Sequence, residues 1–228
     1  MEWNKKYSYP SSTRGIVNGS RHYSMDGFNL PSVTTILAAT KSEEDKAAIA
    51  AWKERVGHRE AERIKNEASS RGNSMHSYIE QFLLGKMNLD LLEDDNHSKR
   101  MAEEIIDSGL KNKLSEIWGA EATVYYPGKY AGTADCIGVY EGKNSLLDFK
   151  QSNKPKREEY IEDYFLQLGA YTLAHDIVHG TKMKAGVILL CTVDNLYQEF
   201  KIEGAELEMY QNLFLGRVKK FYEMSNTS

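Results

Sequence analysis

Two carboxylates and an amine stand close together in the stretch from Gly132 to Lys150, G-T-A-D-C-I-G-V-Y-E-G-K-N-S-L-L-D-F-K. It reads as two β-strands joined by a tight turn, with Asp135 on the first strand and Asp148 and Lys150 on the second. Strand alternation puts Leu146, Asp148 and Lys150 on one face and Leu147 and Phe149 on the other. A carboxylate and an ammonium two residues apart in an apolar strand are costly to bury without a partner. A neighbouring strand bringing a second carboxylate gives them a purpose, as oxygen ligands of a divalent cation. The plainer alternative is a hairpin with a solvated charged face, and the rest of the chain has to decide between the two.

The chain has 228 residues, 27% charged and 41% hydrophobic, enough for one well-filled core with a small subdomain. Cys136 and Cys191 are its only cysteines and form no C-x-x-C pair. This argues against a disulfide scaffold, a structural zinc site or an iron–sulfur cluster, and for a reducing compartment. The opening M-E-W-N-K-K-Y-S-Y-P has neither the apolar core of a secretory signal nor the Arg-rich pattern of an organellar presequence. The longest apolar run, over 185–193, is far too short to span a membrane. A soluble cytoplasmic protein without a membrane partner is expected. The net charge of −4 leaves a nucleic-acid partner open, because a carboxylate-lined site lowers net charge without removing local basic patches.

Residues 1–30, rich in Tyr, Ser, Asn and Gly, read as an irregular arm with a short hairpin. P-S-V-T-T-I-L opens a helix that Ser32 caps, and its hydroxyls at Ser32 and Thr34 could meet phosphates. The stretch 42–68 is helical, with a break at Gly57. R-G-N-S-M-H then leads into a helix whose core stripe is Met75, Ile79 and Phe82, with His76 and Glu80 on the adjoining face. An acidic connection over 85–97 precedes a helix from about Ser98 to Trp118. Strands follow over 121–126, 130–140 and 145–150, then a basic loop holding Ser152, Lys154, Lys156 and Arg157. A helix over 164–178 turns Leu166, Ala170, Leu173 and Ile177 inward, with Gln167 and Tyr171 on another face. Strands over 185–193 and 197–202 and a final helix complete one α/β domain over 1–228, with an N-terminal helical region to residue 68. Residues 225–228 should fray.

The order is a helix with His76, a strand with Glu121, a strand with Asp135, a strand with Asp148 and Lys150, then a helix with Gln167-x-x-x-Tyr171. It resembles the RecB-like branch of the PD-(D/E)XK nucleases. P-S-V-T-T-I-L, the Trp52-Lys53 helix, R-G-N-S-M-H, G-T-A-D-C-I and L-D-F-K-Q-S-N-K-P-K together look like the mitochondrial genome maintenance exonuclease group. Chain length and the opening residues point to a bacterial or phage relative.

The resemblance implies a restriction-endonuclease-like core, a mixed sheet flanked by helices. It also implies a metal-dependent exonuclease acting on single-stranded DNA or flaps from a free end. Asp135, Asp148 and the carbonyl of Phe149 would be ligands of Mg²⁺, which keeps several waters, and His76 would suit Mn²⁺ as a substitute. Lys150, with an ordinary pKa of about 10.4, would position water or steady the phosphate rather than act as a base.

Other roles stay open. His76 is either a ligand or a helix histidine satisfied by Glu80 or a backbone carbonyl. Glu121 is a ligand, a group supporting one, or a solvated strand-edge acid. Gln167 and Tyr171 would contact DNA or the site, though Tyr171 also suits the core. Arg71 and the loop residues Ser152, Lys154, Lys156 and Arg157 would bind DNA phosphates, or be solvated. Trp52, Tyr78 and the N-terminal tyrosines would stack on bases or pack. The Pro usual before the first Asp is Ala134 here, and no helicase motif is present, so unwinding would fall to a replication or recombination helicase or polymerase. A structure-specific endonuclease and a non-catalytic recombination-accessory protein are the alternatives.

Overall fold

A computed structural model describes residues 1–17, 19–25, 27–86 and 97–226. A six-stranded mixed sheet forms the centre, in the order β1, β5, β6, β7, β8, β9. Its strands are β1 (Glu2–Trp3), β5 (Leu114–Tyr126), β6 (Tyr130–Tyr140), β7 (Lys143–Ser152), β8 (Ala185–Thr192) and β9 (Tyr197–Glu203). β5, β6 and β7 are antiparallel neighbours, while β7 and β8 run parallel. A parallel pair needs a crossover, and helix α5 (Glu162–His179) supplies it.

Helices cover both faces of the sheet. On one, α1 (Val33–Ala39), α5 and α6 (Gly204–Asn226) pack onto Ile137, Leu146, Ile188 and Leu190. On the other, α3 (His58–Leu83) and α4 (His97–Glu104) bring Met75, Ile79, Leu83 and Met101 against Leu147, Phe149, Val187 and Leu189. Helix α2 (Glu43–Val56), which buries no residue, precedes α3. The odd and even residues of β7 and β8 thus serve separate cores, as a strand buried on both faces must.

The β6–β7 turn is Glu141-Gly142, both with positive φ (47° and 76°), the geometry that matches the twist of a two-residue hairpin. Ser32 caps α1 by accepting the Thr35 N–H at 2.9 Å. Gly57, at φ 87°, marks the expected break between α2 and α3.

Elsewhere the structure departs from the expectations. Residues 1–30 hold the expected hairpin, β2 (Thr13–Val17) with β3 (Ser20–Met25), but also more order than expected: β1 joins the central sheet, and β4 (Phe28–Pro31) extends the hairpin into a separate antiparallel meander. α3 runs without interruption through Arg71-Gly72-Asn73-Ser74, and the division at residue 68 falls inside it. In place of a helix to Trp118, α4 ends in a π-helical turn over Ile105–Leu110. Asn112, at φ 63°, then redirects the chain into β5, seven residues earlier than expected. The apolar spacing of Leu114, Ile117 and Trp118 looks helical because β-bulges shift its alternation.

Ile177, expected to face inward, is exposed. Tyr7 and Tyr9 pack around His175, and Tyr23 is buried, so these tyrosines serve the core. Ser225 lies within α6, while Thr227, Ser228 and most of the acidic connection, 87–96, lie outside the described residues. Among the described residues, no helix is long and apolar enough to cross a membrane.

Gly138 of β6 shows how closely the sheet is built. A methyl group there would overlap the Glu116 carbonyl oxygen of β5, and backbone cannot swing aside as a flexible side chain can. Gly138→Ala is expected to destabilise the protein by about 1–3 kcal/mol or more, read as a lowered urea midpoint.

Candidate active site

The β6–β7 ladder ends at the pair Cys136–Leu147, although β6 continues backward to Tyr130 and β7 onward to Ser152. The two strands part there, each held on its outer side by β5 or β8. A buried backbone N–H freed by such a fork must find another acceptor. The Phe149 N–H finds Asp135, donating to Oδ2 at 2.7 Å. The carbonyl of the same residue meets His76 Nε2 at 2.8 Å. Phe149 therefore ties a strand carboxylate to a helix imidazole through its own backbone.

A carbonyl can only accept, so Nε2 carries a proton; when the ring is neutral, Nδ1 keeps a lone pair for a ligand. Nδ1 faces Asp135 Oδ1 at 3.5 Å and Glu121 Oε1 at 3.7 Å. Ligand atoms of His76, Glu121 and Asp135 all lie within 4.8 Å of one another. Ligands on opposite sides of an Mg²⁺-sized ion, each about 2.1 Å from it, stand about 4.2 Å apart. The trio matches one small cation.

Glu121 reaches this position at a cost. It is a non-glycine residue with φ 48° inside β5, in the left-handed region that L-residues other than Asn and Asp avoid. The register skips from Ala120–Cys136 to Ala122–Ala134, so Glu121 is out of the ladder beside Asp135. Such strain persists only where surrounding structure over-determines it.

Asp148 stands outside the trio. It is 2% exposed, and Oδ2 forms an ion pair with Lys150 Nζ. That contact lacks hydrogen-bond alignment, and among the described residues Oδ2 has no other partner. A buried carboxylate oxygen with lone pairs to spare, next to a nitrogen-and-oxygen trio, is the donor set a hard or borderline divalent cation takes. The residues fit such an ion.

Lys150 Nζ also donates to Gln167 Oε1 at 3.3 Å, and Gln167 Nε2 donates to the Tyr171 hydroxyl at 3.2 Å. Four residues apart on α5, Gln167 and Tyr171 share one face. Tyr171 lies so close over Gly132 that any side chain at 132 would overlap its ring.

The charges answer one another. Burial pushes the Asp135 carboxyl above the usual carboxylate range; His76 opposes this and Asp148 adds to it. Burial would lower His76, but Asp135 and Glu121 outweigh it and raise the imidazole above its ordinary value. For Lys150, too, burial is outweighed by Asp148 and Asp135, so the ammonium stays charged. The surplus acidity of the pocket favours a bound cation.

Most of the residues singled out from the sequence share one cleft of about 840 Å³: His76, Glu121, Asp135, Asp148, Phe149, Lys150, Gln167, Tyr171, Ser32 and Thr34. A second cleft of about 350 Å³ meets the first at Gln151 and Tyr164 and is lined by Arg71, Ser152, Lys154 and Lys156. The structure gives several of these groups other work. The Ser32 hydroxyl is engaged within α1, and the Ser152 hydroxyl accepts the Lys154 N–H. Arg71 donates to Gln151 and Asn153. Arg157 lines neither cleft and pairs with Glu159 on the surface. Glu80 lines the main cleft without joining the trio.

Sequence reasoning missed Arg14, Arg21 and Tyr164 as lining groups, and Tyr23, among the N-terminal tyrosines considered for stacking, lines the cleft as a buried residue. Tyr164 sits with its ring 5.1 Å from Lys150 Nζ. The alternation R-H-Y in β3 puts Arg21 and Tyr23 on one face, and was the available signal.

No protein-family model matches the sequence. The chain is similar to mitochondrial genome maintenance exonuclease 1 of Homo sapiens, 27% identical over 205 residues, covering 85% of this chain and 58% of that protein. The Mus musculus protein of the same name is 31% identical over 176 residues, covering 73% and 51%. The chain thus spans about half the length of the curated relatives it matches. A solved structure from Eubacterium rectale whose name calls it an exonuclease covers 69% of this chain and 68% of its own, at 12% identity and a TM-score of 0.46. That overlap is too loose to carry detail across. The sequence relationship is to proteins named as exonucleases.

Glu121 separates stability from binding. Glu121→Gly is expected to weaken Mn²⁺ binding by about tenfold or more, measured by calorimetric titration. Relief of the left-handed strain should keep the unfolding free energy level or raise it by up to about 1 kcal/mol, measured in urea.

Proposed function

We propose that this chain is a metal-dependent deoxyribonuclease with a PD-(D/E)XK core, hydrolysing phosphodiester bonds of single-stranded DNA or flaps from a free end. The observation that carries the reading is the His76–Glu121–Asp135 trio at the strand fork, with the Asp148–Lys150 ion pair on the adjoining strand. The names of the similar proteins support the exonuclease mode. On this reading residues 1–228 form a single domain, since α3 belongs both to the N-terminal region and to the core.

His76, Glu121 and Asp135 would hold Mg²⁺ or Mn²⁺, with Asp148 Oδ2 as a further oxygen lining the same cleft; the Phe149 carbonyl, bonded to His76 Nε2 on the far side of the ring from Nδ1, steadies the histidine instead of joining the ligands. When bound, the ion would generate a nucleophilic hydroxide from water and offset charge on the phosphate. Lys150, steadied by Asp148 and Gln167, presents its ammonium to the phosphate as negative charge builds there. Tyr171 holds Gln167 in place. The phosphates beyond the scissile one follow the second cleft past Arg71, Lys154 and Lys156, an attraction that weakens with salt. Thr34 faces the strand from the opposite wall.

One consequence departs from a simple alanine test. Among the described residues Lys150 is the only partner of a buried Asp148 oxygen, so its truncation would strand a charge at a cost of about 3–5 kcal/mol. Asp135→Asn is the better variant: cleavage should fall by about a hundredfold or more with DNA binding retained.

The decisive measurement is digestion of end-labelled linear single strands beside covalently closed single-stranded circles, with Mg²⁺, Mn²⁺ or EDTA. Linear DNA should be degraded only with metal, and circles should survive. Circles cut as fast as linear strands would replace the exonuclease with an endonuclease. Undiminished activity in EDTA would sink the metal mechanism.

A further inference from the structure

We propose that the β2–β3 hairpin is a phosphate clamp, in which Arg14 and Arg21 grip neighbouring backbone phosphates of the single strand whose end lies at the His76–Glu121–Asp135 trio. The proposal rests on the nuclease reading and adds to it a binding element separate from the basic loop.

Register places the two guanidinium groups together. Arg14 pairs with Tyr23, and Arg21 pairs with Ile16. Paired residues of an antiparallel ladder share a face, and so do residues two apart on one strand. Arg14 and Arg21 are therefore diagonal neighbours on one face, about 7–8 Å apart. Both line the cleft that contains the trio.

Neither arginine has an ion pair or side-chain hydrogen bond among the described residues. The contrast with the other cations nearby is informative. Lys150 is committed to Asp148 and Gln167, and Arg71 to Gln151 and Asn153. Two unpaired forks in a cleft that also holds four carboxylates, Glu80, Glu121, Asp135 and Asp148, are not there to neutralise those acids. The planar guanidinium fork matches phosphate oxygens in a bidentate way.

The hairpin is fixed at its base and open at its outer strand. The Arg21 carbonyl accepts the Ser32 N–H at 2.9 Å and the Thr35 hydroxyl at 3.0 Å. The Tyr23 hydroxyl hydrogen-bonds Thr133 at 3.1 Å, two residues before Asp135. All five residues of β2 are exposed, and β2 pairs with β3 alone. The guanidinium groups thus stand at a set distance from the proposed ligands while their heads remain free for an anion.

The test uses the whole chain and a labelled oligothymidylate, with binding read by fluorescence anisotropy in EDTA across about 50–200 mM salt. Each phosphate contact to a single strand contributes about 0.7 to the slope of log K against log salt. The R14Q/R21Q double variant should flatten that slope by about 1.4 and each single variant by about 0.7, while R14K/R21K keeps it. In cleavage assays with Mg²⁺ the loss should fall on KM rather than kcat. An unchanged slope in R14Q/R21Q, with the wild type still cutting DNA, overturns the clamp alone. Equal flattening by the Lys pair also overturns it, because charge would not be the cause. A wild type that neither binds nor cuts the oligonucleotide overturns the clamp together with the nuclease reading. Superimposable thermal melts of the variants exclude unfolding as the source of any change.

Discussion

The parting of β6 and β7 leaves the Phe149 peptide with a donor and an acceptor that no neighbouring strand satisfies on that side, and the site is built on this one unmet need. Asp135 takes the N–H and His76 takes the carbonyl. Each brings ionisable character into a buried place, so each needs further charge to answer it. Asp148 and Lys150 on the same strand answer one another. Removing one member of such a set leaves the others uncompensated, at a cost of about 3–5 kcal/mol for a buried pair. The groups are therefore interdependent, and the elements around them act to close the set.

Helix α3 is held on the sheet by Met75, Ile79 and Leu83, and that packing sets how far His76 reaches into the fork. Helix α5 brings Gln167 to Lys150, and the bare Gly132 lets Tyr171 lie over β6 behind it. Two features run against folding economy: the left-handed backbone of Glu121 and the Asp148 oxygen without a hydrogen bond. Both lie within one cleft. Departures from local rules tend to gather where a protein holds something other than itself.

Much of the architecture was legible in the sequence. The alternation of Leu146, Asp148 and Lys150 against Leu147 and Phe149 fixes the two faces of β7, and the cap at Ser32 and the break at Gly57 set boundaries that the structure keeps. The misreadings have local causes. The meander of residues 13–31 lacks apolar alternation because β2 is wholly exposed. The bulges in β5 give Leu114, Ile117 and Trp118 a helical spacing. Ile177 continues the apolar spacing of Leu166, Ala170 and Leu173 but stays exposed, which spacing within one helix does not reveal.

The sequence by itself determined which chemistry the chain carries: two carboxylates and a lysine on adjacent strands, with a histidine on an earlier helix. Only the tertiary structure decided how they divide. It drew Glu121 into the trio with His76 and Asp135, and it left Asp148 to Lys150. It also brought Arg14 and Arg21 to the cleft of the trio, while Lys154 and Lys156 line the adjoining one. Periodicity reports which face a residue takes within its own element. The separation between atoms on different elements depends on how a helix packs on a sheet and where a ladder stops, and those are set by contacts between residues far apart in the chain.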